Sequence, residues 1–155
     1  QTARIREGAA DVVNQLSSSY KIGLAGNQPS TVRPFLKASG LLDMIEFDGV
    51  SGDMGVFKPD TRFFLTVLRA LGVNGHEAIM VGDRLDNDIY PANILQMGTV
   101  RLLTGSHSGQ IPRTPRDEAD VTIESIFQLP DAVKELESHR TGQLDDDADL
   151  IEKEI

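Results

Sequence analysis

Three aspartates, Asp83, Asp86 and Asp88, fall within six positions in the stretch IMVGDRLDNDI, residues 79–89. They follow an apolar run of strand character, and carboxylates that close repel one another unless a cation offsets the charge. Two readings stand. In one, the acids open a helix and serve its free N–H groups and its dipole. In the other, Asp83 ends a strand and a turn brings Asp88 back, so that both carboxylates aim at one point beyond the sheet. Such an oxygen-only set suits Mg²⁺, which keeps several waters and takes few protein carboxylates. Asp86 is expected to face solvent.

Two other short stretches could share that chemistry. GLAGNQP, residues 23–29, ends a strand at Gly26, adds Asn27 and opens a helix at Pro29. Free backbone N–H groups and an Asn side chain suit an anion such as phosphate; the same residues also make an ordinary strand-to-helix turn. GVFKPD, residues 55–60, sets Lys58 just before a helical pattern. A cation there opposes the helix dipole, which fits either a positional task, balancing carboxylates or an anion, or a plain loop lysine. His76, His107 and His139 lie in turns, a polar loop and the tail, where structural or solvent roles are expected. RTPR, residues 113–116, reads as a solvated loop.

The elements that must position these residues alternate along the chain. IREGAADVVNQL puts Ile5, Ala9, Val12, Val13 and Leu16 on one helical face. YKIGLAG reads as a strand, PSTVRPFLKASGLL as a helix from Pro29 to near Gly40, MIEFDGV as a strand and the Gly-rich stretch after it as a loop. PDTRFFLTVLRALG starts with Pro59 in its first turn, buries Phe63, Phe64, Val67, Leu68 and Leu71, and stops at Gly72. AIMVG, TVRLL and DVTI read as strands, DIYPANILQM and LPDAVKELES as helices. Strands separated by helices imply βαβ crossovers: an α/β, Rossmann-like, mostly parallel sheet with helices on both faces. Ligands of such folds sit at the carboxyl ends of the strands, where Gly26–Asn27 and Gly82–Asp83 fall.

The totals narrow the function classes. The chain of 155 residues is long enough for one domain with a real core. It has no cysteine, which removes disulfides and thiolate metal sites. A net charge of −9 argues against a nucleic-acid-binding surface. No apolar run has membrane-spanning length and no signal peptide opens the chain, so no membrane partner and a cytoplasmic location are expected. Leu144–Ile155 holds six acids and one base. The expected organisation is a core over residues 1–140 and an acidic, disordered tail over 141–155.

Taken in order, the three chemical stretches resemble the haloacid dehalogenase-like hydrolase superfamily. YKIGLAGNQP is similar to the family's second motif, GVFKPDTRFF to its Lys-Pro-Asp third motif, and IMVGDRLDNDIYPANILQMG to its fourth, a Gly-Asp with a second Asp five positions on. The resemblance covers roughly residues 5–135. It implies Mg²⁺-dependent phosphoryl transfer through an aspartyl-phosphate, with C–halogen hydrolysis as a minority branch, and a small phosphorylated metabolite or other small anion as substrate. Carried over, Asp83 would ligand Mg²⁺, and Asp88 would support the metal or hold Lys58. Lys58 would neutralise nucleophile and phosphate, and the Gly26 N–H and Asn27 would hold phosphate oxygens. This is charge clamping of a transferring phosphoryl group.

The match departs from the family in two places. Gly26 stands where the second motif normally supplies a hydroxyl. The first motif, an apolar strand followed by Asp-x-Asp that brings the nucleophile, has no counterpart. Asp11 lies in a helical pattern, Asp48 falls at the place of the family's third strand, and Asp145, Asp147 and Asp149 have no strand before them. A covalent mechanism needs an activated nucleophile, so the chain alone is expected to be inactive, as the later two-thirds of a hydrolase. The missing strand would leave two interior sheet edges unpaired. A complementing N-terminal segment or a swapped homo-oligomer would fill that gap. The other reading is a non-catalytic binding or interaction module.

Overall fold

A computed structural model describes residues 4–140; the acidic run over 141–155 lies outside them. Five strands form: β1 (Gly23–Gly26), β2 (Phe47–Val50), β3 (Ile79–Gly82), β4 (Gly98–Leu102) and β5 (Val121–Ile123). The helices are α1 (Ala9–Ser17), α2 (Arg33–Ala38), α3 (Ser51–Met54), α4 (Thr61–Leu71), α5 (Tyr90–Ile94) and α6, over residues 129–140. Every pairing is parallel, as the alternation of strands and helices requires.

The strands form two ladders rather than one sheet, β1–β2 and β3–β4–β5. Among the described residues β1 and β3 are each paired on one side only. Their free edges line one cleft of ≈ 670 Å³, walled by Leu16, Leu129 and Val133 on one side and by Phe64, Val67 and Leu71 on the other.

Two cores cover the two faces. Val12 and Leu16 of α1 and Leu129, Val133 and Leu136 of α6 pack on Val100, Leu102 and Ile123. On the opposite face Phe63, Phe64, Val67 and Leu68 of α4 pack with Met80, Ala92 and Met97. In β4, Val100 and Leu102 therefore point to one face. Thr99 and Arg101, both buried, alternate to the other.

The local sequence explains most boundaries. α4 repeats apolar residues at three- and four-residue spacing. It is capped by Asp60, whose carboxylate accepts from the Arg62 N–H at 2.9 Å, and it ends at Gly72 with φ 70°. Pro59 therefore lies before the helix rather than in its first turn. The stretch read as a loop after β2 contains the one-turn α3.

Candidate active site at the carboxyl ends of the strands

Lys58 is fixed at both its backbone and its side chain. The Asn27 carboxamide, one residue past β1, bonds its backbone in both directions. Lys58 N–H donates to Asn27 Oδ1 at 2.8 Å, and Asn27 Nδ2 donates to Lys58 O at 2.9 Å. The Lys58 ammonium donates to Asp88 Oδ1 at 2.5 Å, an ion pair with side chains only 11% and 5% exposed. The cation thus faces a buried carboxylate, not the N-terminus of α4, and the conflict with the helix dipole does not arise. Asn27, expected to hold phosphate, spends one amide hydrogen and its carbonyl oxygen on Lys58. The second Nδ2 hydrogen and the backbone N–H groups of the turn are what it can offer an anion.

Residues after β3 wind into a π-helical turn over Leu85–Ile89, a feature frequent at functional sites. The turn carries Asp88 back toward the strand end, where its Oδ2 accepts from the Arg84 N–H at 3.1 Å. Asp86 turns outward and is clamped by the Arg84 guanidinium, with Nη2 donating at 2.7 Å. It is further bonded by Gln110 Nε2 at 3.0 Å. The Arg84 guanidinium, with Gln110 in support, holds the Asp86 carboxyl well below the usual carboxylate range, and Asp86 in turn raises Arg84. The expectation that Asp86 simply meets solvent is thus only half the account.

Asp83, at the end of β3, has no hydrogen bond or ion pair for its carboxylate among the described residues. Among the described residues no group of three or more His, Cys, Asp and Glu gathers to cage a metal. A carboxylate at a strand end with no hydrogen bond of its own among the described residues, near the Arg84 guanidinium, fits a hard cation that keeps its waters and shares a phosphate; it does not fit an all-protein zinc or calcium cage. Beside Asn27 lies an open concavity of ≈ 590 Å³ lined by Gln28, Pro29, Ser51, Gly52, Gly55 and Phe57. Asp48, weighed as a nucleophile from its Asp-Gly context, sits in β2 and is bonded by Arg33, which also bonds Asp53.

The profile of the haloacid dehalogenase-like hydrolases matches residues 1–93. The chain belongs to this family. It is 42% identical over 87 residues to a glyceraldehyde 3-phosphate phosphatase of Methanopyrus kandleri, covering 56% of this chain and 37% of that protein. A phospholysine phosphohistidine inorganic pyrophosphate phosphatase of Danio rerio is 30% identical over 104 residues, covering 57% and 38%. A phosphatase of the same family from Thermococcus onnurineus superposes with TM-score 0.73 at 28% identity, over 84% of this chain and 58% of that one. A 2-haloacid dehalogenase of Pseudomonas syringae pv. Tomato gives 0.72 at 25%, over 85% and 54%. The chain therefore spans little more than a third of the length of the curated relatives it matches.

Within this haloacid dehalogenase-like core the structure brings Asn27, Lys58 and Asp88 into one connected set, with Asp83 beside it at the end of β3. Sequence reasoning passed over Gln110 and Arg101. Gln110 lies in a stretch that reads as polar loop, and nothing in its neighbours signals a bond to a turn 25 residues away.

Proposed function

We propose that this chain supplies the cation- and phosphate-holding half of a phosphate-ester hydrolase acting on a small phosphorylated metabolite. The observation that carries the reading is the buried Lys58–Asp88 pair at the strand ends, with the Asp83 carboxylate beside it, which among the described residues has no hydrogen bond or ion pair and lies in the field of Arg84. Asp83 would ligand Mg²⁺, which when bound supplies Lewis-acid charge to a phosphoryl oxygen. Asp88 holds Lys58 against the developing charge, and the Gly26 and Asn27 N–H groups receive phosphate oxygens. The concavity beside Asn27, with Phe57 at 65% exposure on its rim, is the place for the leaving group. The names of the two curated relatives support a phosphoryl substrate over a C–halogen bond, and that of the Methanopyrus kandleri relative supports a phosphate ester. No described aspartate pair ends a strand beside Lys58, so turnover needs a nucleophile from outside residues 4–140, and we expect no turnover from these residues alone.

Calorimetric titration of Mg²⁺, with and without tungstate as a phosphate mimic, tests the reading. Saturable binding that tightens with tungstate and vanishes in Asp83→Asn is expected. Absence of binding in the folded wild type would overturn it. A second reading, an interaction module, draws on the cleft between the two ladders, whose free edges and apolar walls suit an added strand.

A further inference from the structure

We propose that Gln110 is a positioning residue for the cation site, fixing the turn that presents Asp83 and Asp88. The inference rests on the proposed function for its purpose, though its geometry stands apart from it. The first N–H groups of a helical turn have no acceptor within the turn. Here the Leu85 N–H donates to Gln110 Oε1 at 2.8 Å. The same carboxamide donates from Nε2 to Asp86 Oδ1 at 3.0 Å. One side chain thus ties the entry of the turn and helps Arg84 draw the Asp86 carboxylate outward. A cation at the strand end then meets Asp83 without a mobile third carboxylate competing for it.

Gln110 is itself anchored to the sheet. Arg101, 6% exposed in β4, lies with its Nη2 2.9 Å from Gln110 O and 3.2 Å from His107 O. Gln110 N–H donates to His107 O at 3.1 Å, which closes the loop. Arg101 is the register partner of Gly82, the residue before Asp83. Anchor and site therefore hang from the same strand pair, and the path runs from Arg101 through the loop carbonyls to Gln110, Leu85 and Asp86. Groups that hydrogen-bond a metal's own ligands typically change its affinity by about 10–100-fold when removed, and Gln110, acting one step further out through Leu85 and Asp86, belongs at the low end of that range.

Gln110→Met keeps the volume and removes both bonds. Two readouts separate positioning from bulk stability: the Mg²⁺ Kd by calorimetry, and amide exchange at Leu85 measured without metal, against Val100 in the β4 core. We expect Kd to rise about tenfold and Leu85 exchange to accelerate, with Val100 unchanged. Unchanged Kd in Gln110→Met overturns the proposal, as does a loss of affinity accompanied by faster exchange at Val100. If wild type binds no Mg²⁺, the proposed function fails instead. The role of Gln110 in the turn is then decided by Leu85, where unchanged exchange sinks it and acceleration with Val100 intact sustains it.

Discussion

The Asp88 side chain folds back over Gly82, and a Cβ built on Gly82 would lie 2.5 Å from both Cβ and Cγ of Asp88. Glycine here is a matter of close approach rather than of backbone conformation. Asp88 cannot yield easily, because its two oxygens are held by Lys58 and by the Arg84 N–H. Gly82→Ala is expected to push Asp88 off Lys58, on top of the roughly 1–3 kcal/mol typical of overpacking. Lys58→Ala leaves Asp88 buried and unpaired, a change that commonly costs about 3–5 kcal/mol. Urea unfolding of the two variants measures this. A loss below 1 kcal/mol in Lys58→Ala would mean the pair is open to water. Of these residues, the sequence pattern singled out Lys58, Asp83 and Asp88 because charge at a strand end or before a helix demands a reason. It could not tell that Asn27 serves the Lys58 backbone, since that bond joins residues 31 apart.

At the scale of elements, apolar spacing was a good guide wherever an element packs one clear face. α1 and α4 follow it in part: Val12 and Leu16, and Phe63, Phe64, Val67 and Leu68, are buried as the periodicity requires, whereas Val13 and Leu71 are half-buried and Ile5 lies ahead of α1. The guide failed where local hydrogen bonding decides. Thr61 rather than Pro59 begins α4, because the Asp60 carboxylate captures the Arg62 N–H. The run read as one helix through Pro91 divides into a π-helical turn and α5, since Tyr90 N–H reaches back five residues to Leu85 O. Asp60→Ala is expected to cost about 0.5–2 kcal/mol, the usual range for losing such a cap. The Asp60–Arg62 ion pair adds little, its arginine side chain being 78% exposed. Arg62→Ala separates the two contributions in thermal melts: it should move stability far less than Asp60→Ala, and an equal effect would assign the stability to the ion pair.

For the whole molecule, the order of strands and helices gave away an α/β fold with a parallel sheet, and the family's first motif, absent from the pattern, pointed to edges left unpaired. The division into two ladders is the physical form of that expectation. What no periodicity could show is that α1, α4 and α6 still cover both faces, so that the free edges of β1 and β3 look into an apolar cleft. A strand inserted there would bond on both sides, which makes the cleft a template for association. In the isolated chain at low concentration, β1 and β3 amides without strand partners should exchange at least about tenfold faster than those of β4, which is paired on both sides. Raising the concentration should slow that exchange as the mass measured by light scattering rises above one chain. If the chain stays monomeric while β1 and β3 are as protected as β4, the cleft is closed from within the same chain, and neither a second copy nor an added segment is needed to complete the sheet.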